Sequence, residues 1–278
     1  MEGPIRRSAV AGSWYPGTAA GIAHEVEGYL GAVRCPPVPG RLVGLISPHA
    51  GLYYSGPVAA HGYSLLRGRA GLSVVLVGPS HRVAFEGLAL VARGAFETPL
   101  GQTPIDEPLA SELLAADSHI VNAPRPHRDE HSLEMQLPFL QHLVRELRIV
   151  PILMGEQTRE EVDALAAALS KVLPGRDVLL VASSDLSHYH PAPVANRLDA
   201  LVVKDVERYD AESLMRRLEA SHEHACGGGP VVAVMKAAQA LGADTATVLR
   251  YADSGDVGER DKSRVVGYLS AALSDARV

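Results

Sequence analysis

The sequence predicts an α/β protein, a single domain over residues 1–278 with a mainly parallel central sheet flanked by helices. Three observations carry this. Short apolar, β-branched runs bounded by Gly, Pro or Ser recur along the chain, several with apolar side chains on consecutive residues, as a sheet covered on both faces requires. Helix-patterned stretches lie between those runs, and that alternation builds βαβ units. No linker, low-complexity tract or composition shift divides the 278 residues, a length that suits one large α/β domain.

The strand candidates, in order, are Leu42–Ile46, Ser73–Val77, Leu88–Val91, Ile149–Leu153, Val178–Ala182, Thr247–Tyr251 and Arg264–Leu269. The helix candidates begin with Ser55–Leu66 and Ile105–Ala116. His131–Leu147 is amphipathic, and Pro138 inside it predicts a break or kink. Residues 158–173 open with Thr158 and Glu161 in capping-box spacing. Ala192–Tyr209 follows, then a helix from Asp210 as N-cap, then Val231–Leu241, which ends at Gly242. "AGSWYPG" at 11–17 is a turn that carries the sole tryptophan, Trp14.

Composition narrows the function classes. A net charge of −6 with no long Lys/Arg cluster argues against a nucleic-acid partner. No secretory apolar region follows "MEGPIRR", and no apolar run approaches membrane-spanning length, so the expectation is a cytoplasmic protein with no membrane partner. With only Cys35 and Cys226, a disulfide framework is not expected. No G-x-S-x-G elbow, G-x-G-x-x-G turn or P-loop lysine is present, which argues against a serine nucleophile or a nucleotide cofactor.

The twelve histidines are many for this length, and several stand at turns. "LISPHAG" at 45–51 and "VLVGPSH" at 75–81 each end an apolar run in a small turn and present His49 or His81 just beyond it. A helix between the two runs makes one βαβ unit, so both strand ends fall on the rim where α/β proteins bind ligands. Neighbouring strands lie about 4.8 Å apart, so two imidazoles on these adjacent strand ends are expected to reach one metal ion. "VLLVASSDLSH" at 178–188 brings Asp185 and His188 to the same rim.

"HACGGGP" at 224–230 sets Cys226 before three glycines and a helix. A thiolate at a helix N-terminus has a lowered pKa, and the glycines would let the backbone approach a small molecule or anion. In "DEHSLEMQLP" at 129–138, Glu130, His131 and Glu134 read either as a charged helix start or, for His131 and Glu134, as substrate contacts in the cleft. His222 and His224 read as competing ligands or as a solvated loop. Two imidazoles and one anionic ligand suit non-haem Fe(II), and also Zn or Cu.

Taken together, "AGSWYPG", "SPHAGLYYSGPVAAHGY", "VLVGPSH", "DEHSLEMQLPFL", "VPILMG", "VASSDLSHY" and "ACGGGP" resemble the Memo family in order and spacing from residue 11 to about 230. Bacterial and archaeal members are also called AmmeMemoRadiSam system protein B, which implies radical-SAM and AMMECR-type proteins as partners. The resemblance implies a fold like the class III, LigB-type extradiol dioxygenases, which hold Fe(II) with two histidines and a glutamate. Here the metal histidines match His49 and His81, the glutamate position matches Cys226, and the acid–base histidine matches His188. The resemblance also sets Trp14, Tyr54 and Asp185 around the pocket. Thiolate in place of carboxylate means that dioxygenase activity does not follow from the fold.

Three functions follow as expectations. One is metal-dependent redox chemistry on an unknown small substrate, with His188 moving a proton and Asp185 orienting a histidine. A second is a non-catalytic metal-binding or adaptor protein that holds a peptide or partner in the same cleft. A third is a zinc-type hydrolase with His188 or Glu134 as base.

Overall fold

The computed structural model describes residues 3–221, 223–258 and 260–277. In chain order its elements are β1 (Ile5–Arg6), α1 (Ala19–Ala32), β2 (Arg41–Ser47), α2 (Leu52–Tyr63), β3 (Ser73–Pro79), β4 (Leu88–Leu90), β5 (Ala95–Thr98), β6 (Gly101–Pro104), α3 (Glu107–Ala116), β7 (Ile120–Asn122), α4 (Pro124–His127), α5 (Leu137–Leu143), β8 (Arg148–Met154), α6 (Arg159–Val172), β9 (Val178–Ser183), β10 (His188–His190), α7 (Ala192–Glu207), α8 (Ala211–Ala220), α9 (Gly228–Ala240), β11 (Thr245–Asp253), α10 (Ser254–Val257) and β12 (Val265–Asp275).

The main sheet runs β10-β12-β2-β9-β3-β8-β4-β7, with β11 paired to the outer side of β12. Its centre is parallel: β2 with β9, β9 with β3, and β3 with β8. Both flanks join antiparallel, β12 to β2 on one side and β4 to β8 on the other. The parallel expectation therefore holds for the four central strands, and the sheet as a whole is mixed. One expectation is corrected: β2 and β3 are not neighbours, because β9 lies between them. The crossover through α2 leaves a one-strand gap that a later strand fills, an order no local sequence signal encodes. A small separate sheet, β1-β5-β6, is built from the N-terminal strand and the β5–β6 hairpin.

Val74 to Val77 on β3 are all fully buried, which accounts for their consecutive apolar side chains. Helix α9 packs on β2, β9 and β3, with α6 and α8 against it. Helices α1, α2 and α5 form a second layer, and one large hydrophobic cluster runs through the whole. Burying side chains of this size contributes roughly 1.5–3 kcal/mol each, so the sheet centre is the rigid platform from which the rim loops project.

Local signals set the helix ends. Thr158 and Glu161 form the capping box before α6, and the Asp210 side chain caps α8. Pro138 does not kink a helix over 131–147. It sits in the first turn of α5, where a missing N–H costs nothing, and a 3-10 turn over Glu134–Gln136 precedes it. Helix α1, capped by Thr18, lies where no helix was expected from the sequence. Strand β12 runs on past Leu269 to Asp275, through the buried serines Ser270 and Ser274 that interrupt its apolar pattern.

Candidate metal centre

The C-terminal ends of β2, β3 and β9 all deliver side chains to one edge of the sheet. His49 and His81 start two strands apart, yet their ring centroids lie 5.2 Å from each other. Hydrogen bonds close that gap. The backbone N–H of Ser184 donates to Ser47 O at 2.9 Å, and Asp185 Oδ1 accepts from the N–H groups of His49 (2.7 Å) and Ala50 (3.3 Å). Together they draw the loop after β2 across the end of β9. From the other side, Glu130 accepts from the His81 N–H at 2.5 Å and faces its ring Nδ1 at 2.9 Å.

The same contacts fix both tautomers. Ser183 Oγ has one proton, which it donates to Ser132 O at 2.7 Å. It therefore accepts from Gln136 Nε2 at 2.8 Å and from His49 Nδ1–H at 2.9 Å. Gln136 is itself held by Pro48 O at 3.0 Å and by the Tyr63 hydroxyl, which donates to its Oε1 at 2.6 Å. His81 Nδ1–H donates to the Glu130 carboxylate. In the neutral form of each ring the lone pair then sits on Nε2, the state a metal ligand needs. Burial, with the neighbouring His81 and His131 rings, holds His49 well below the ordinary histidine pKa, so it stays neutral.

Cys226 completes the group. Its Sγ lies 3.2 Å from His49 Nε2 and 3.6 Å from Asp185 O. Donor atoms of His49, His81 and Cys226 all lie within 4.8 Å of one another. Bonds of zinc-like length to a tetrahedral ion set such donors roughly 3.5 Å apart, so the three fit one ion with little movement. The expected low thiol pKa is corrected. Cys226 precedes α9, but burial and then the nearby Asp185 push its thiol up. The triple glycine is corrected too: its backbone packs against the protein. A Cβ at Gly227 would lie 2.3 Å from Ser183 O.

His81, Glu130 and His131 form a second donor group on the same scale. There Glu130 serves as the holder. Its Oε1 also accepts from the backbone N–H groups of His131 and Ser132, at 2.9 Å each. Burial works to raise Glu130, but its bonds from the His81 ring and the Ser132 N–H outweigh this and keep it well below the usual carboxylate range.

His49 and His81 line a cleft of about 710 Å³ together with Trp14, Tyr54, His131, Asp185 and His188, whereas Cys226 lines a separate pocket with Gln157 and Gly229. His131 stacks on His81 with centroids 4.6 Å apart, and Trp14 lies 4.3 Å from His131. Burial brings His131 down to about 4 and also lowers His188. Burial pushes Asp185 up to about 7, against the N–H groups of His49 and Ala50. Asp185 thus grips the backbone of the His49 loop, whereas Ser183 orients the ring.

Glu134 is not among the cleft residues. It is wholly buried, ion-paired with Arg6, and accepts from Ala9 N–H (2.7 Å), Val10 N–H (3.2 Å) and the Tyr15 hydroxyl (2.6 Å). It anchors the turn that carries Trp14. His222 lies outside the described residues. His224 is buried and stands apart from both donor groups. Sequence reasoning missed the roles of Ser183 and Gln136, and gave Glu130 only a helix-start role. It also missed Arg82, Tyr189 and Arg264 on the cleft wall. The only signal for Glu130 was its place beside His131.

The fold and the donor set define an α/β protein with a candidate mononuclear metal centre at the carboxyl edge of its sheet. The family profile described as "Memo-like protein" matches residues 6–272. A MEMO1 family protein of Methanocaldococcus jannaschii is 39% identical over 286 residues, covering 97% of this chain and 99% of that one. Another, from Methanothermobacter thermautotrophicus, is 38% identical over 95% of this chain and 98% of its own length. The chain belongs to the Memo family. Among solved structures, the crystal structure of the uncharacterized protein JW3007 from Escherichia coli K12 matches with a TM-score of 0.55 at 16% identity, covering 84% of this chain and 100% of that chain, a likeness of fold.

Proposed function

We propose that this Memo-family protein is a mononuclear metal-dependent oxidoreductase that acts on a small substrate in the cleft, with His49, His81 and Cys226 as the ligands. The observation that carries the reading is the convergence of three donors within 4.8 Å, with both histidines held so that, when neutral, they carry the lone pair on Nε2. Fe(II) is the favoured metal, with Cu or Zn as alternatives, since two imidazoles and one anionic donor suit all three. The bound ion would supply redox chemistry at positions left open to substrate. His188, a cleft imidazole that burial keeps neutral, would take a proton from the substrate. Trp14 and Tyr54 would bound a flat substrate, and Asp185 would hold the His49 loop in place.

Metal analysis of protein purified anaerobically from its own host tests this. Near one equivalent of iron in the wild type, lost in Cys226→Ser, is expected; full occupancy in that variant would remove Cys226 from the site.

A second reading, a metal-binding adaptor, is favoured by Tyr53 and Tyr189 at the cleft mouth, which are 56% and 63% exposed and suit a peptide partner. His81→Ala separates the two, since partner binding that survives metal loss belongs to the adaptor. The zinc-hydrolase reading keeps His188 as its base; Glu134, locked to Arg6, offers none.

A further inference from the structure

Three of the four central parallel strands end in residues already assigned to the site. The fourth, β8, ends at Met154, and Gln157 follows three residues later. Its amide bridges the cysteine loop at both ends. Nε2 donates to Cys226 O at 2.7 Å, and Oε1 accepts from Gly229 N–H at 2.7 Å. The orientation of this amide is unambiguous, because a carbonyl only accepts and an N–H only donates.

We propose that Gln157 is a positioning residue that fixes the cysteine ligand: its amide clamps residues 226–229 so that the Cys226 sulfur is held against His49. The proposal rests on the metal reading above. It also gives two of the three glycines a purpose. Gly227 N–H donates to Ser184 Oγ at 3.0 Å, and a Cβ there would strike Ser183 O. A Cβ at Gly229 would lie 2.8 Å from Met154 Sδ and 2.9 Å from Gln157 Cβ. The loop is thus pressed between the ends of β9 and β8 with no room for side chains. Sulfur position follows from backbone position, since Cys226 N–H also donates to Asp185 O at 3.2 Å. Gln157 is half-buried at the edge of the fold, so replacing it does not empty the core.

The test is an anaerobic Co(II) titration of wild type, Cys226→Ser, Gln157→Met and Gln157→Glu, alongside thermal unfolding of each metal-free protein. Gln157→Met conserves volume and removes both bonds. Gln157→Glu keeps the shape and the acceptor, and removes the donor to Cys226 O. The wild type should show a thiolate-to-cobalt charge-transfer band that Cys226→Ser lacks. Both Gln157 variants should bind Co(II) about 10–100-fold more weakly, with a reduced band, as loss of an outer positioning contact does. A merely structural amide would lower the melting temperature and leave Co(II) affinity unchanged. Wild-type affinity and band in both Gln157 variants would overturn the clamp and leave the metal site standing. A wild type without the thiolate band would overturn both.

Discussion

His49 Nδ1 lies 2.9 Å from Ser183 Oγ, and that hydroxyl has already spent its only proton on Ser132 O. One serine on β9 therefore decides which nitrogen of a histidine in the loop after the neighbouring strand faces the cleft. Residues that bear no metal-ligating atom at this centre set the ligand geometry.

Ser183→Ala removes the acceptor for both His49 Nδ1–H and Gln136 Nε2. Metal affinity should fall by about tenfold or more. Stability should fall by about 1–3 kcal/mol, because buried donors are left unmet. Metal titration and denaturant unfolding measure the two effects, and unchanged affinity in a folded variant would show that the serine does not set the tautomer.

Glu134→Gln separates anchoring from chemistry. The Arg6 side chain is 8% exposed and Glu134 0%, so the substitution leaves a buried cation without its counter-charge. Removing one partner of such a pair costs about 3–5 kcal/mol. Metal affinity of the folded variant should match the wild type. Loss of metal without loss of stability would return Glu134 to the centre.

His127 supplies a pH test away from the cleft. It is buried, its Nε2 lies 2.9 Å from Ala89 O, and burial brings its pKa down to about 4, against that hydrogen bond. Because the folded pKa is below the unfolded one, the unfolded chain binds more protons between about pH 6.5 and 4. Stability should be highest above that window and fall as pH drops through it, with His127 contributing on the order of 3 kcal/mol. Denaturant unfolding at pH 7 and pH 4.5 checks this, and His127→Gln should show a shallower decline. An equally steep decline in that variant would assign the effect elsewhere.

The strand runs were legible in the sequence because a doubly covered sheet demands consecutive apolar residues, as at Val74–Val77. The residues His49, His81, Asp185, His188 and Cys226 could be nominated because each follows an apolar run or precedes a glycine-rich helix start. Sheet order could not be read. Whether β9 enters between β2 and β3 depends on packing across more than a hundred residues. The holders were equally hidden: Gln136 and Ser183 are ordinary polar residues in sequence, and their role exists only once β9 lies beside the His49 loop. Glu134 was misjudged because its partner, Arg6, stands 128 residues away. The thiol pKa was misjudged because helix position is visible in a sequence and desolvation is not.

The coordination sphere can be read directly by X-ray absorption at the zinc edge on zinc-loaded protein. One sulfur at about 2.3 Å and two imidazole nitrogens at about 2.0–2.1 Å are expected, with the sulfur shell absent in Cys226→Ser. A wild-type spectrum with nitrogen and oxygen scatterers alone would contradict a centre built from His49, His81 and Cys226.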